Sequence, residues 1–182
     1  METISLGEIL IHKISIPDWK DKKETLMKLV PESHFLQGNT NSFTDFHYTT
    51  EMRNRSGNHP YADKFFETID WYPEKHFGSD CFCKDLWCVR YGHGGGLHIH
   101  DHFWGMSGIL YAKFAPVFNK ATSFVSPIRK IWDHYTVTVT PPVEEGDLVL
   151  FPSALMHYAD PNMSDTERLL FSFNVKKEGY IG

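Results

Sequence analysis

The chain has 182 residues, a length that accommodates one domain with a sizeable apolar core. Its hydrophobic fraction of 41% and aromatic fraction of 15% are typical of a folded globular protein and exclude a disordered one. A net charge of -5 argues against a nucleic-acid partner, which requires a basic surface. The sequence also lacks the run of about 18 apolar residues that a membrane-spanning helix needs.

The N-terminal part, residues 1–85, mixes segments of different types. ILIHKISI, residues 9–16, predicts a short strand, and residues 18–30 predict a helix that Asp18 caps and Pro31 ends. A second helix is predicted over residues 61–70. The turn-rich stretch between the two helices predicts loops with at most one strand. We expect these elements to pack against a C-terminal barrel within a single domain, residues 1–182.

Three cysteines, Cys81, Cys83 and Cys88, lie within eight residues. The first twenty residues lack the basic and apolar stretches of a secretory signal, and an odd cysteine count without such a signal indicates reduced thiols. We therefore expect an intracellular, cytoplasmic protein with no membrane partner.

From Leu86 onward the sequence changes to short β-branched or aromatic segments separated by Gly, Pro and Asn. The seven predicted strands are LWCVRY, LHIHDHF, SGILYAKF, ATSFVS, YTVTVT, DLVLFP and RLLFSFNV. This spacing is typical of an antiparallel sandwich or barrel. The predicted fold is therefore mainly β, a double-stranded β-helix (jelly roll) over residues 86–176 with flanking N-terminal helices.

The segment GLHIHDH places histidines at three alternate positions, 98, 100 and 102. On a regular strand, residues two apart share a face, so His98, His100 and His102 would all point the same way. Histidine is the commonest metal ligand, and adjacent imidazoles repel each other when protonated. An exposed polar strand face and a metal site both fit this pattern, and the rest of the chain has to decide between them.

A second region, EEGDLVLFPSALMHYADP, leads through a strand to His157 and then to Arg168. Arg168 begins the last predicted strand, whose alternation separates two faces: Arg168, Leu170, Ser172 and Asn174 on one, Leu169, Phe171, Phe173 and Val175 on the other. A guanidinium on such an apolar strand needs a partner. That partner is either a structural salt bridge or a bound carboxylate, which suits the planar guanidinium.

Residues 86–175 resemble the small His-x-His branch of the iron(II)- and 2-oxoglutarate-dependent dioxygenases. The matching features are His-x-His, the strand SGILY, the segment GDLVLFPS, a distal histidine, and an arginine opening a strand that ends in Phe-Asn. The resemblance implies a jelly roll that binds one Fe²⁺ together with 2-oxoglutarate and O₂. It also implies hydroxylation of an unspecified substrate with release of succinate and CO₂.

The resemblance implies that His98, His100 and His157 ligate the metal, with no catalytic group beyond the metal centre. Most of the superfamily has a carboxylate two residues after the first histidine, where this sequence has His100. Asp101 is therefore the alternative second ligand, which only a bulge in the strand would bring inward. Arg168, Tyr91 and Ser172 are the expected 2-oxoglutarate-binding residues. The expected residues of the substrate pocket are His102, Trp104 and Tyr111.

Two other function classes fit parts of the same pattern. Gly92 followed by His98 and His100, and Gly146 followed by Pro152 and His157, resemble the two halves of the cupin motif. A cupin would bind metal without 2-oxoglutarate and would give Arg168 no role. The third class is a non-catalytic jelly-roll binding domain. Metal content and 2-oxoglutarate binding distinguish the three.

Overall fold

The computed structural model describes residues 9–37, 42–45, 61–103, 105–129 and 135–179. The helices described are α1 (Trp19–Met27), α2 (Ala62–Ile69) and α3 (Pro73–Phe77). The strands described are β1 (His12–Ser15), β2 (Phe35–Gln37), β3 (Ser42–Asp45), β4 (Cys81–Tyr91), β5 (Leu97–His100), β6 (Met106–Lys113), β7 (Ser123–Arg129), β8 (Thr136–Val139), β9 (Asp147–Pro152), β10 (His157–Ala159) and β11 (Arg168–Lys177).

The strands form two antiparallel sheets, as expected for a jelly roll. The larger sheet has the order β1-β9-β6-β11-β4-β3-β2, and the smaller has the order β5-β10-β7-β8. Strand β11 lies in the middle of the larger sheet, where it pairs with β4 on one side and β6 on the other. The predicted double-stranded β-helix is confirmed.

Side-chain alternation on β11 divides the apolar interior into two clusters. Leu169, Phe171, Phe173 and Val175 pack beneath the helices with Phe65 and Phe66 of α2. Leu170 belongs to the second cluster, which also contains Val89, Ile109 and Phe151. The two faces of β11 are therefore the ones that the sequence predicts.

The aromatic residues of α2 anchor the helical layer to the large sheet. The rings of Phe65 and Phe171 lie 5.1 Å apart, and those of Phe66 and Phe173 lie 5.3 Å apart in an edge-on arrangement. Trp71, directly after the helix, lies 5.4 Å from Phe173. These contacts form a closed aromatic layer on the side of the large sheet that faces the helices. The candidate functional site lies on the opposite side of this sheet.

The N-terminal part contributes more to the sheet than the sequence predicts. The strand predicted at residues 9–16 is present as β1, and it extends the large sheet by pairing with β9. Strands β2 and β3, which the sequence did not resolve, extend the opposite side beyond β4. Both predicted helices are present, although they are shorter than expected. Asp18 precedes α1 without making a side-chain cap hydrogen bond.

The three cysteines are free thiols, as expected. No helix in the described ranges is long and apolar enough to cross a membrane. The cytoplasmic location stays a prediction.

Candidate metal centre and cosubstrate pocket

The metal-ligand candidates lie where β5 and β10 pair at the edge of the small sheet. His157 is the direct cross-strand partner of His100, and Ala159 is the partner of Leu97. β5 therefore contains one residue more than β10 between these two pairs. This extra residue is a bulge, which interrupts the regular alternation of side chains.

The bulge decides which histidines of the GLHIHDH segment face inward. Leu97 and His100 both line the internal cavity although they are three residues apart. His98 and Ile99 instead line a groove on the outer surface, and both are exposed. The prediction that His98 and His100 share a face assumes a regular strand. The pairing of β5 with β10 is interrupted by the bulge, so the two side chains lie on opposite sides.

His102 enters the cavity just beyond the end of β5. Its backbone N–H donates to Ser153 O at 2.8 Å, which ties the segment to the loop that follows β9. The imidazole packs 5.6 Å from the indole of Trp87. His102 was predicted to line the substrate pocket, and the structure places it beside the other two inward-facing histidines.

His100, His102 and His157 form a cluster with the geometry of a metal site. One ring nitrogen from each lies within 4.8 Å of the others. The ring centroids of His100 and His157 are 4.3 Å apart, and His102 lies 5.2 Å from the first and 5.1 Å from the second. This is the only group of three or more potential metal ligands among the residues described.

Hydrogen bonds select the same tautomer for all three imidazoles. Nδ1 of His100 lies 2.7 Å from His98 O, and Nδ1 of His157 lies 2.8 Å from Leu155 O. Nδ1 of His102 lies 2.7 Å from Asn174 Oδ1. Because carbonyl oxygens only accept, each Nδ1 must carry the proton and donate it. Each Nε2 is then left with a lone pair, which is the form that ligates a metal.

Burial keeps two of these imidazoles neutral. It lowers the pKa of His157 to about 4, and it lowers the pKa of His102 below its usual value. At neutral pH both rings therefore keep the lone pair that a cation requires. The residues present fit a divalent metal ion with three neutral nitrogen ligands.

The structure brings together two of the three predicted ligands, His100 and His157. His98 lies outside the cluster, and His102 takes the third place. Asp101, the alternative ligand, is exposed between two inward-facing histidines, as strand alternation requires. The sequence contained the signal for His102, since it also lies two residues from His100, but the location of the bulge could not be read from it.

Arg168 is buried in the interior, and it forms no ion pair with an Asp or Glu side chain among the residues described. It is 1% exposed, and its terminal nitrogens donate to Lys120 O and Asp160 O, both at 2.7 Å. Its carbon Cζ lies 4.4 Å from the centroid of the Tyr91 ring. Nε has no hydrogen-bond partner in the described structure. Burial lowers the pKa of this guanidinium, while the nearby Tyr91, Tyr111 and Asp160 act in the opposite direction.

The cavity beside the histidine cluster contains two of the three predicted cosubstrate residues. Tyr91 and Ser172 line it together with Val89, Ile109 and Leu170, which give it apolar walls. Burial raises the pKa of Tyr91 to about 12, so its hydroxyl stays protonated and able to donate at neutral pH. Arg168 lies directly behind the Tyr91 ring.

The remaining predicted pocket residues have other positions. Tyr111 is fully buried, and its hydroxyl accepts the Thr122 backbone N–H at 3.0 Å, which makes it part of the core. It does not line the cavity. Trp104 lies outside the described residues.

The residues that form this site fall within a segment of known family. Residues 85–174 match the family described as "Putative 2OG-Fe(II) oxygenase". The chain belongs to this oxygenase family. It is a 2-oxoglutarate-dependent dioxygenase, and its cofactors are Fe²⁺ and 2-oxoglutarate. The assignment favours the oxygenase interpretation over the cupin and the non-catalytic alternatives.

Several solved structures have the same fold. The α-ketoglutarate-dependent epimerase SnoN from nogalamycin biosynthesis aligns with a TM-score of 0.60 at 14% identity, covering 92% of this chain and 77% of its own. HygX from Streptomyces hygroscopicus, with nickel, 2-oxoglutarate and hygromycin B bound, aligns at 0.60 and 10% identity, covering 94% and 84%.

A prolyl-4-hydroxylase from Pseudomonas putida aligns with a TM-score of 0.56 at 15% identity, covering 93% of this chain and 94% of its own. Identities this low show a shared fold. No curated protein matches the sequence at a significant level.

Proposed function

We propose that this oxygenase hydroxylates its substrate at a three-histidine iron(II) centre formed by His100, His102 and His157. The observation that supports the assignment is the tautomer pattern: every Nδ1 lies against an oxygen acceptor, which leaves the Nε2 lone pair of each neutral ring for a metal, and one nitrogen of each ring lies within 4.8 Å of the others. Three neutral ligands leave open positions on an octahedral ion, as in facial-triad oxygenases. The set lacks the carboxylate that most of these sites contain.

Arg168, Tyr91 and Ser172 are the proposed residues for the carboxylate end of 2-oxoglutarate. Arg168 and Ser172 lie on the same face of β11, and this face turns toward the cavity. A buried arginine that forms no ion pair with a described acidic side chain is expected to pair with an anionic ligand. Tyr91, whose hydroxyl remains protonated, and Ser172 supply further donors at the cavity wall.

The overall reaction consumes the substrate R–H, O₂ and 2-oxoglutarate and yields R–OH, succinate and CO₂. Fe²⁺ and the cosubstrate supply the oxidising chemistry when bound, and the protein supplies orientation and a dry cavity. Val89, Ile109 and Leu170 line the cavity and would exclude water from a cosubstrate bound there. In the metal-free protein, the Nδ1 hydrogen bonds would already hold the three imidazoles in the orientation needed to bind the metal.

Binding of Co²⁺, an oxygen-tolerant probe for an Fe²⁺ site, tests the ligand set. We expect His100→Ala, His102→Ala and His157→Ala each to abolish stoichiometric Co²⁺ binding in calorimetry, because each removes one of three ligands. His98→Ala is the matched control, since it makes the same change on the same strand outside the cavity. It should bind Co²⁺ like the wild type.

Succinate formation provides the second measurement. Wild-type protein supplied with Fe²⁺, O₂ and 2-oxoglutarate should release succinate, and the three cluster variants should not. Loss of metal binding in His98→Ala together with retention in His102→Ala would refute the proposed ligand set. Metal binding by the wild type without any 2-oxoglutarate binding would refute the proposed reaction.

A further inference from the structure

A row of polar side chains crosses the large sheet and ends at His102. Asp85 on β4, Asn174 on β11 and Ser107 on β6 are direct cross-strand partners, so they lie side by side on three adjacent strands. Asn174 Nδ2 donates to Asp85 Oδ2 at 3.2 Å, and Asn174 Oδ1 accepts from His102 Nδ1 at 2.7 Å. The Asn174 amide therefore connects the Asp85 carboxylate to the imidazole.

One further hydrogen bond, from Ser107, fixes the orientation of this amide, and Ser153 holds that serine in place. Ser107 Oγ donates to Asn174 Oδ1 at 2.8 Å, and it lies 2.9 Å from Ser153 Oγ. Both serines are buried. An ionised carboxylate only accepts, so Asp85 requires the nitrogen of the amide on its side and leaves the oxygen for His102. The amide cannot flip without breaking three contacts.

The charge of the site gives this chain of contacts a role. Three neutral imidazoles around a divalent cation leave its charge uncompensated by any protein ligand. Metal-bound histidines commonly donate their second nitrogen to a carboxylate, which raises their basicity. At His102 an amide occupies that position, and the carboxylate lies one residue further along the same chain of hydrogen bonds.

We infer that Asp85 is a positioning residue that acts through Asn174 to orient and polarise His102, and thereby replaces part of the charge missing from the metal ligands. The inference rests on the proposed three-histidine site. Asp85 does not touch the metal position. Its effect passes through an amide whose oxygen accepts the His102 proton and whose nitrogen donates to the carboxylate.

Co²⁺ affinity of purified full-length protein tests the inference. Asp85→Asn keeps the size of the side chain and an oxygen that accepts from Asn174, so it removes only the charge. We expect it to weaken Co²⁺ binding about 10-fold, the lower end of the range for residues that support metal ligands. The visible absorption bands of bound Co²⁺, which report ligand strength, should shift.

The double variant Asp85→Asn/Asn174→Asp moves the charge rather than removing it. The amide at position 85 would donate to a carboxylate at position 174, which would accept directly from His102 Nδ1. We expect this exchange to restore Co²⁺ affinity to near the wild-type value. Asp70→Asn is the matched control, since Asp70 is exposed at the end of α2 in a left-handed conformation that asparagine tolerates, and it should change nothing.

The outcomes separate this inference from the proposal on which it rests. Absence of Co²⁺ binding in the wild type would overturn both. Wild-type affinity in Asp85→Asn would overturn the role of Asp85 and leave the ligand set standing. Equal weakening in Asp85→Asn and the double variant would also overturn it, because a purely structural contribution to the sheet is not rescued by relocating the charge.

Discussion

Removal of the buried Arg168 guanidinium is the perturbation that most directly tests cosubstrate binding. Arg168→Met keeps a long apolar stem beside Tyr91 and deletes the charge. Charge-assisted hydrogen bonds to a carboxylate contribute roughly 1.5 to 3 kcal/mol. Their loss should weaken 2-oxoglutarate binding by about 10- to 150-fold, since about 1.4 kcal/mol corresponds to a factor of ten.

The structure predicts that the unliganded protein tolerates this change. The variant loses the two hydrogen bonds to Lys120 O and Asp160 O, which destabilises the folded state. It also avoids the desolvation cost of burying a cation that forms no ion pair with a described acidic side chain. These contributions oppose each other. The melting temperature of the metal-loaded protein without 2-oxoglutarate should therefore change little, while the effect of adding 2-oxoglutarate should change greatly.

Thermal melting with and without 2-oxoglutarate, in the presence of Co²⁺, measures the difference. At a concentration of about 100 times the wild-type Kd, the ligand stabilises the wild type by about 2.7 kcal/mol. For a variant with 100-fold weaker affinity, the same concentration contributes only about 0.4 kcal/mol. At about 2 to 4 °C per kcal/mol, the wild type should gain about 5 to 11 °C and the variant about 1 to 2 °C.

Arg90→Met is the matched control. Arg90 also lies against aromatic rings, those of Phe35 and Phe43, but it pairs with Glu32 outside the cavity. It should retain the full stabilisation by 2-oxoglutarate. An equal gain in melting temperature for the wild type and Arg168→Met would refute the assignment of Arg168. Absence of any gain in the wild type would refute binding itself.

Two further predictions concern stability. The pKa of the His157 side chain is about 4 in the folded protein and about 6.5 in the unfolded chain. Between these pH values the unfolded state binds more protons, so the free energy of unfolding decreases as the pH falls from about 6.5 to 4. In urea unfolding, the free energy of unfolding of the metal-free wild type should decrease over this pH interval by up to about 3 kcal/mol more than that of His157→Leu. An equal decrease in both proteins would contradict the lowered pKa of His157. Gly108→Ala should lower the free energy of unfolding by about 1 to 3 kcal/mol, because its Cβ would lie 2.1 Å from Phe173 Cζ in the closed aromatic layer. Similar unfolding free energies for Gly108→Ala and the wild type would contradict the tight packing.

Local patterns were sufficient for the architecture of the C-terminal half. The alternation along β11 depends only on the pleat of an extended chain, so the residues facing the helices and those facing the cavity were assigned correctly from the sequence. The presence of a metal site could also be predicted from the sequence, because closely spaced histidines and a distal histidine form a set of ligands that few other functions require.

The strands that the N-terminal part adds to the large sheet were harder to predict from the sequence. Strands β2 and β3 are short and lie in a turn-rich stretch. The pairing of β3 with β4 and of β2 with β3, rather than local propensity, makes them strands. The three-residue strand β10, which contains His157, was missed for the same reason. It exists because β5 and β7 pair with it on both sides.

The identity of the inward-facing histidines depended on tertiary structure alone. A segment with three histidines at alternate positions can present His98 and His100, or His100 and His102, and both choices obey the same local rule. The bulge between the Leu97–Ala159 and His100–His157 pairs decides between them. Register is a property of two strands together, so the chemistry of the site could be predicted from one segment, whereas its ligand set required the partner strand.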